Sequence, residues 1–240
     1  NWLQVEDNVM DPVHTTFLHS RATGVQFTNA FEQLPQMDFM ESPIGMVYIA
    51  TRRVGNHVWV RMNDSILPTP HQYNRNEEDA VEIHPFWPGQ NTEWSVPIDD
   101  TNTLQMAFRR VPEGADENWG LAFGQTPDRP YEERQRNPGD YEALVSQRPI
   151  AVHALEHLSS TDRGIIMLRR LIRQDIQAVL NGNDPKVLTL NKNGKIPTYA
   201  NDTVLEIKPA ATREADSQLL RDTGRKVAEE YFSKHPRDTQ

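Results

Sequence analysis

The middle of the chain alternates between apolar and polar positions. Met46, Tyr48 and Ala50 share one side of an extended run, and Val58, Val60 and Met62 one side of the next. Val81 with Ile83, Trp94 with Val96 and Ile98, and Leu104 with Met106 and Phe108 repeat the pattern. A period of two is the mark of a strand with one apolar face. Gly55-Asn56, Asn63-Asp64, Pro88-Gly89 and Asp99 to Asn102 separate the runs with turn-forming residues. This predicts hairpin-connected antiparallel strands with one buried face.

The period changes toward both ends. Asp11-Pro12 offers an N-cap and a first-turn proline for a helix over Val13 to about Ser20. Residues 21–45 read as loop with short elements, and Val111 to Pro138 as a Pro-, Gly- and charge-rich excursion beside a site. Asp140 to about Val145 predicts a helical turn or more. Ser160-Thr161-Asp162 caps a helix in which Ile165, Leu168, Leu171, Ile172, Ile176 and Val179 recur at helical spacing, and Asn181 to Pro185 stops it. A last amphipathic helix is predicted from about Thr212 to Phe232. The layout is α+β, most simply a curved antiparallel sheet around a long C-terminal helix, with no linker that forces a second domain.

Charge and cysteine content narrow the function. The net charge of −9 argues against a nucleic-acid backbone binder. The 240 residues include no cysteine, so they hold no disulfide, thiolate zinc site or Cys-ligated iron–sulfur cluster. That fits a cytoplasmic protein. No apolar run approaches the length of a membrane span, and the first residues lack a signal-peptide layout. The opening Asn1-Trp2-Leu3 carries no initiator Met, which points to a piece of a longer protein.

The candidate chemistry lies near the start, in Asp7-Asn8-Val9-Met10-Asp11-Pro12-Val13-His14-Thr15-Thr16-Phe17-Leu18-His19. Two imidazoles and one carboxylate form the facial set that holds non-heme Fe(II) with positions open for dioxygen. His14 and His19 are five apart, about 140° around an ideal helix. They reach one metal only if the helix is distorted or ends between them. Two histidines near a helix start are otherwise ordinary polar or hydrogen-bonded residues. Asp11 lies three before His14, on nearly the same side. His57 and His71 read as loop or strand-edge residues, and His84 could line a pocket. His153 and His157, four apart beside Glu156, read as structural.

The wider string resembles the catalytic-domain motif of Rieske-type non-heme iron oxygenases: Asn1-Trp2, then Asp7-Asn8, then Asp11-x2-His14-x4-His19. Within that family it looks like the phthalate dioxygenase and O-demethylase branch. Trp94 to Thr101 is similar to a strand-and-turn segment of that branch. Gly139-Asp140-Tyr141-Glu142, Gln147 to Ile150 and Glu156 to Gly164 are similar to its C-terminal region. The likeness covers about residues 1–182, and residues 183–240 match nothing we can name in it.

The resemblance implies a helix-grip fold, with residues 1–240 as the mononuclear iron catalytic domain. It implies His14, His19 and Asp140 as iron ligands, with Asp175 as a rival acid that reads better as a solvated helix position. It implies Asp11 as the bridge that carries an electron from the cluster-ligating histidine of a neighbouring subunit, and Asn8 in support. The Rieske domain, with its 2Fe-2S cluster, would lie outside this segment. NAD(P)H would act through a reductase or ferredoxin, and the assembly would be a homotrimer or hexamer. The expected reaction uses O2 to hydroxylate, dihydroxylate or O-demethylate an aromatic acid. Trp94 and Phe108 are candidate pocket walls, and Arg52, Arg53, Arg109 and Arg110 are the cations near strand ends for a substrate carboxylate. The competing reading is a non-catalytic helix-grip domain that binds a hydrophobic small molecule.

Overall fold

Strands β2 (Gly45–Val54) and β3 (His57–Ile66) form the centre of the sheet, paired in antiparallel register from Gly45↔Ile66 to Val54↔His57. The two-residue turn between them needs a left-handed residue, and Gly55 supplies it at φ +57°. The computed structural model describes residues 1–22, 24–74, 87–111, 113–114, 128–190 and 196–234. The predicted strand at Val81 and Ile83, and His84, lie outside the described residues.

Strand order is β1-β2-β3-β4-β6-β7, with β1 at Gln36–Ser42, β4 at Pro70–Tyr73, β6 at Asn91–Pro97 and β7 at Thr103–Arg109. The outer edge of β3 is shared. Asp64 and Ser65 pair with β4, while His57 to Met62 pair with β8 (Asn201–Glu206), which also pairs with the short β5 (Trp87–Pro88).

Every residue of β2 from Gly45 to Arg52 is buried, because the sheet centre is covered on both faces. Val47, Ile49, Val58, Val60 and Met62 meet the last helix, α7 (Arg213–Lys234). That helix buries Leu220, Thr223, Gly224, Val227, Ala228 and Tyr231, the spacing of one helical stripe. Gly224 lets the two elements approach: a Cβ there would lie 2.1 Å from Thr51 Oγ1. Met46, Tyr48 and Ala50 face the other way, against Leu168, Leu171 and Ile172 of α5 (Arg163–Leu180) and against Met10. This is the α+β arrangement predicted, with the C-terminal helix packed on an antiparallel sheet.

Several expectations need correction. A helix, α1 (Trp2–Val9), precedes Asp11; it buries the polar residues Gln4 and Glu6, so no apolar stripe announced it. The single helix expected over Val13–Ser20 is a short α2 (His14–Thr16) running into a π-helical turn at Phe17–Arg21. Asp11 is not the N-cap of that helix; its Oδ1 accepts from the Val13 N–H at 2.8 Å, an Asx turn just ahead. Part of the predicted loop 21–45 is β1. Residues 183–240, unassigned from sequence, supply β8 and α7. The expectation of one buried apolar face fails at the last hairpin. Val96, Leu104, Met106 and Phe108 of β6 and β7, and Ile98 just after β6, are exposed, and the alternate polar positions face a cavity. Of the excursion at Val111–Pro138, most lies outside the described residues; α3 occupies Tyr131–Arg136, ahead of α4 (Asp140–Ser146). A further short helix, α6, spans Lys186–Leu190.

Asp64, on β3, is fully buried, and its Oδ2 accepts from the Tyr199 N–H at 2.7 Å. Burial pushes its carboxyl up to about 7, against the pull of that hydrogen bond. The fold therefore holds a proton that the unfolded side chain, with its ordinary value of 3.8, has lost. The associated stability is whole below pH 3.8 and lost as pH rises to about 7. Asp64→Asn keeps an acceptor and carries no charge. Urea denaturation at pH 5 and pH 8 should show the variant gaining on the wild type at the higher pH. Equal differences at both pH values would mean that Asp64 does not hold the proton.

Candidate metal centre

His14 and His19 come together because the backbone between them is not an α-helix throughout. The Ala22 N–H donates to the Phe17 carbonyl at 2.8 Å, an i→i+5 bond. Each π turn holds about one residue more than an α turn, so a residue five positions on returns to nearly the same side. The two rings lie with centroids 5.2 Å apart. Arg52, reaching from β2, ties this segment to the sheet. Its Nη2 donates to the Pro12 carbonyl at 3.2 Å and to Thr15 Oγ1 at 2.8 Å, and its Nε donates to the Gln33 carbonyl at 3.1 Å. The guanidinium stacks over Phe31 and Trp59, and burial lowers it to about 10.

Asp140 arrives from far along the chain, as the first residue of α4. The start of α4 is pinned by Glu142, whose carboxylate accepts from the Gly139 N–H at 2.9 Å, Arg129 Nη2 at 3.0 Å and Arg134 Nε at 3.1 Å. Asp140 Oδ1 lies 3.2 Å from His19 Nε2 and 3.5 Å from His14 Nε2. One ligand atom from each of the three residues lies within 4.8 Å of the others, the one such group among the described residues. Neighbouring ligands about 2.1 Å from one ion stand roughly 3–3.5 Å apart, so the spacing suits a metal.

The outer contacts orient both imidazoles. His14 Nδ1–H donates to the Asp11 carbonyl. His19 Nδ1–H donates to Gln26 Oε1 at 2.9 Å, while Gln26 Nε2 donates to the Pro138 carbonyl at 2.9 Å. Carbonyl oxygens only accept, so each ring carries a proton on Nδ1 and points Nε2 toward Asp140, where the neutral ring would offer its lone pair to a metal. Asn8 Nδ2 donates to Asp140 Oδ1 at 3.2 Å. Burial alone would raise the Asp140 carboxyl, but the hydrogen bond and charge of His19, the charge of His14 and the Asn8 amide hold it at about 2. Burial lowers His14, whereas His19 is raised: burial opposes its charge, but Asp140 and Gln26 outweigh that. A carboxylate facing two Nε2 atoms favours a positive charge between them, a proton on His19 or a metal ion in its place.

Thus the structure brings together His14, His19, Asp140, Asn8 and the backbone of Asp11. Asp175 is elsewhere, its Oδ1 accepting from the Lys186 N–H at 3.0 Å. His153 lies 3.9 Å from Glu156 and away from this group. Gln26 was missed, because a lone glutamine in a loop gives no sequence signal. Asp7, quoted only as part of the motif, pairs with Arg169 of α5.

A cavity of about 840 Å³ adjoins the three residues. Its wall includes Asn91, Glu93, Gln105 and Arg109, the polar positions of β6 and β7. Trp94 and Phe108 are not among its lining residues. They pack edge to face on the opposite, outer side of the hairpin, with Phe108 72% exposed. His71, Tyr73 and Glu93 also line the cavity and form, with the fully buried Glu6 behind them, a second cluster that the sequence had not suggested. His71 lies between Glu6 Oε1 at 3.7 Å and Glu93 Oε2 at 3.4 Å, and Tyr73 donates to Glu93 Oε1. Burial would lower His71, but these two carboxylates raise it to about 9.

No protein-family model matches the chain. Individual proteins do. It is 35% identical, over 95% of its length, to the oxygenase subunit of tert-butanol monooxygenase / tert-amyl alcohol desaturase from Aquincola tertiaricarbonis. It is 32% identical, over 80% of its length, to phenoxybenzoate dioxygenase subunit alpha from Ectopseudomonas oleovorans. It is 28% identical, over 91% of its length, to the 5,5'-dehydrodivanillate O-demethylase oxygenase subunit of a Sphingobium strain. These matches cover 53%, 46% and 52% of the relatives, so the chain spans about half their length. The chain belongs to the Rieske-type non-heme-iron aromatic-ring oxygenase family. The match over 95% of the chain shows that the likeness continues beyond residue 182. Among the described residues, no helix is long and apolar enough to cross a membrane.

Replacing Gln26 by leucine removes the acceptor that orients His19 and leaves the three nearest donor atoms in place. Losing such an outer partner typically lowers metal affinity about 10–100-fold. A competition titration with a chelator should show that weakening for Gln26→Leu. Unchanged affinity would mean the ring is held by packing alone.

Proposed function

We propose that residues 1–240 are the mononuclear iron catalytic domain of an oxygenase that uses O2 to hydroxylate, dihydroxylate or O-demethylate an aromatic acid, in the phthalate dioxygenase and O-demethylase branch. The observation that carries this reading is the convergence of His14, His19 and Asp140 beside a cavity large enough for an aromatic molecule. His14, His19 and Asp140 hold Fe(II), which when bound supplies the one-electron chemistry that dioxygen requires. Asp11 and Gln26 keep the two rings protonated on Nδ1. Asn8 holds the Asp140 carboxylate in place.

Electrons come from a 2Fe-2S cluster outside these cysteine-free residues, fed by NAD(P)H through a reductase or ferredoxin. Asp11 is the bridge to a Rieske domain of a neighbouring subunit in a homotrimer or hexamer. Its backbone touches His14 while its carboxylate stays partly exposed, the placement such a bridge needs. The relatives' printed activities include both a demethylase and a dioxygenase, which supports the reaction class.

The test is mononuclear iron in the purified full-length protein. One equivalent, lost on His14→Ala with the fold intact by circular dichroism, is expected. An iron-free wild type that binds hydrophobic molecules tightly would favour the non-catalytic reading instead.

A further inference from the structure

The two buried residues of α1, Gln4 and Glu6, are both polar. Gln4 has partners: its Nε2 donates to the Arg148 carbonyl at 3.0 Å and its Oε1 accepts from the Ala151 N–H at 3.3 Å. Glu6 is fully enclosed, and among the described residues neither of its carboxylate oxygens finds a hydrogen bond. An acid so placed is costly unless a cation faces it. His71 faces it from β4, with Nδ1 at 3.7 Å from Glu6 Oε1. On the other side of the ring, Nε2 lies 3.4 Å from Oε2 of Glu93, the cross-strand partner of His71 on β6. Tyr73 stacks on the imidazole and donates to the second oxygen of Glu93. An imidazole with an acid at each nitrogen is held in its doubly protonated form. The charges of Arg109 on β7 and Arg61 on β3 reach Tyr73, and that of Arg109 also reaches Glu93.

Asn8 follows Glu6 by two positions, about 200° around a helix. Glu6 therefore points to the sheet while Asn8 Nδ2 donates to Asp140 Oδ1 at 3.2 Å. Asp7, between them, reaches Arg169 on α5. Glu6 and Asp7 thus fix the roll of a helix only eight residues long from two sides, and the roll decides where the Asn8 amide lies.

We propose that His71 is a positioning residue of the metal centre: shared between Glu6 and Glu93, it fastens α1 to the β4–β6 wall, and α1 in turn sets Asn8 against Asp140. This rests on the iron reading for the ion, and adds a residue that acts on the site without touching it.

The test uses Glu6→Leu in the full-length protein. Leucine fills the space and strands no charge, because His71 keeps Glu93, so a packing role alone would survive it. Fe(II) affinity, measured anaerobically by chelator competition, should fall about tenfold, as when an outer partner is lost. Glu6→Gln, which keeps an acceptor for His71 Nδ1, should recover most of that. In an Asn8→Ala background, Glu6→Leu should cost nothing further. Unchanged affinity in Glu6→Leu, or a full additional loss beside Asn8→Ala, would overturn the proposal. Amide hydrogen exchange on the metal-free protein gives a second reading. Glu6→Leu should speed exchange in α1 and the first turn of α4. In the wild type the imidazolium, raised from 6.5 to about 9, supports α1 fully below pH 6.5 and is lost as pH rises through 9. Two carboxylates share that shift, so α1 exchange, corrected for its intrinsic rate, should rise about tenfold across this window. A flat profile would overturn the proposal even if no variant folded. Wild-type protein that binds no Fe(II) would sink the oxygenase reading, and exchange in α1 and α4 would still decide whether His71 sets Asn8.

Discussion

Asp140→Ala should leave the full-length protein without mononuclear iron and, on the oxygenase reading proposed above, without turnover. Asp140 is the negative member of the candidate set, 3.2 Å and 3.5 Å from two imidazole nitrogens that are already oriented. Removing it leaves two neutral donors and no charge to offset a divalent cation. The loss should exceed the roughly 10–100-fold change expected when an outer partner such as Gln26 is altered. Iron-to-protein ratio by mass spectrometry reads it directly. Asp140→Glu should recover part of the iron, since the carboxylate remains. Full iron occupancy in Asp140→Ala would show that the ion, if present, sits elsewhere.

The largest effect on stability is expected at Arg169, away from the metal. Its guanidinium is held by Asp7 at 3.1 and 2.6 Å and by Glu156 at 2.6 and 2.9 Å, joining α1, α5 and the segment ahead of α5. All three side chains are less than a quarter exposed. Burial raises the Asp7 carboxyl even though Arg169 pulls it down. Arg169→Met would strand two acids, a loss of about 3–5 kcal/mol. At roughly 2–4 °C per kcal/mol for a domain of this size, thermal denaturation should register it plainly. Adding Asp7→Asn and Glu156→Gln to Arg169→Met should restore most of the loss, because the penalty comes from the unpaired charges. A single variant as stable as wild type would show that solvent already satisfies this cluster. Asp7 precedes Asn8, so the same substitution should also loosen the amide that holds Asp140.

Much was legible in the chain because it depends on local periodicity. β2, β3, α5 and α7 announce themselves through apolar residues spaced at two or at three and four. The string from Asp7 to His19 marks the candidate chemistry, and the likeness around Asp140 supplied the third group. What stayed hidden was decided by long-range contacts. α1 turns Gln4 and Glu6 inward, so its buried side looks polar. The outward turn of Trp94 and Phe108 follows from a strand's alternation, which identifies two faces but not which one meets the cavity.

By itself, then, the sequence determined that two histidines and an aspartate were available, that the layout was α+β, and that no cysteine could contribute. Only the tertiary structure decided that they meet. A π turn rotates His19 back toward His14, and Gln26 and Pro138 bind two distant loops together. The start of α4 sets Asp140 between the rings. The physical reason is range: periodicity records which side of an element is apolar, whereas ligand convergence depends on backbone distortions and hydrogen bonds between segments more than a hundred residues apart.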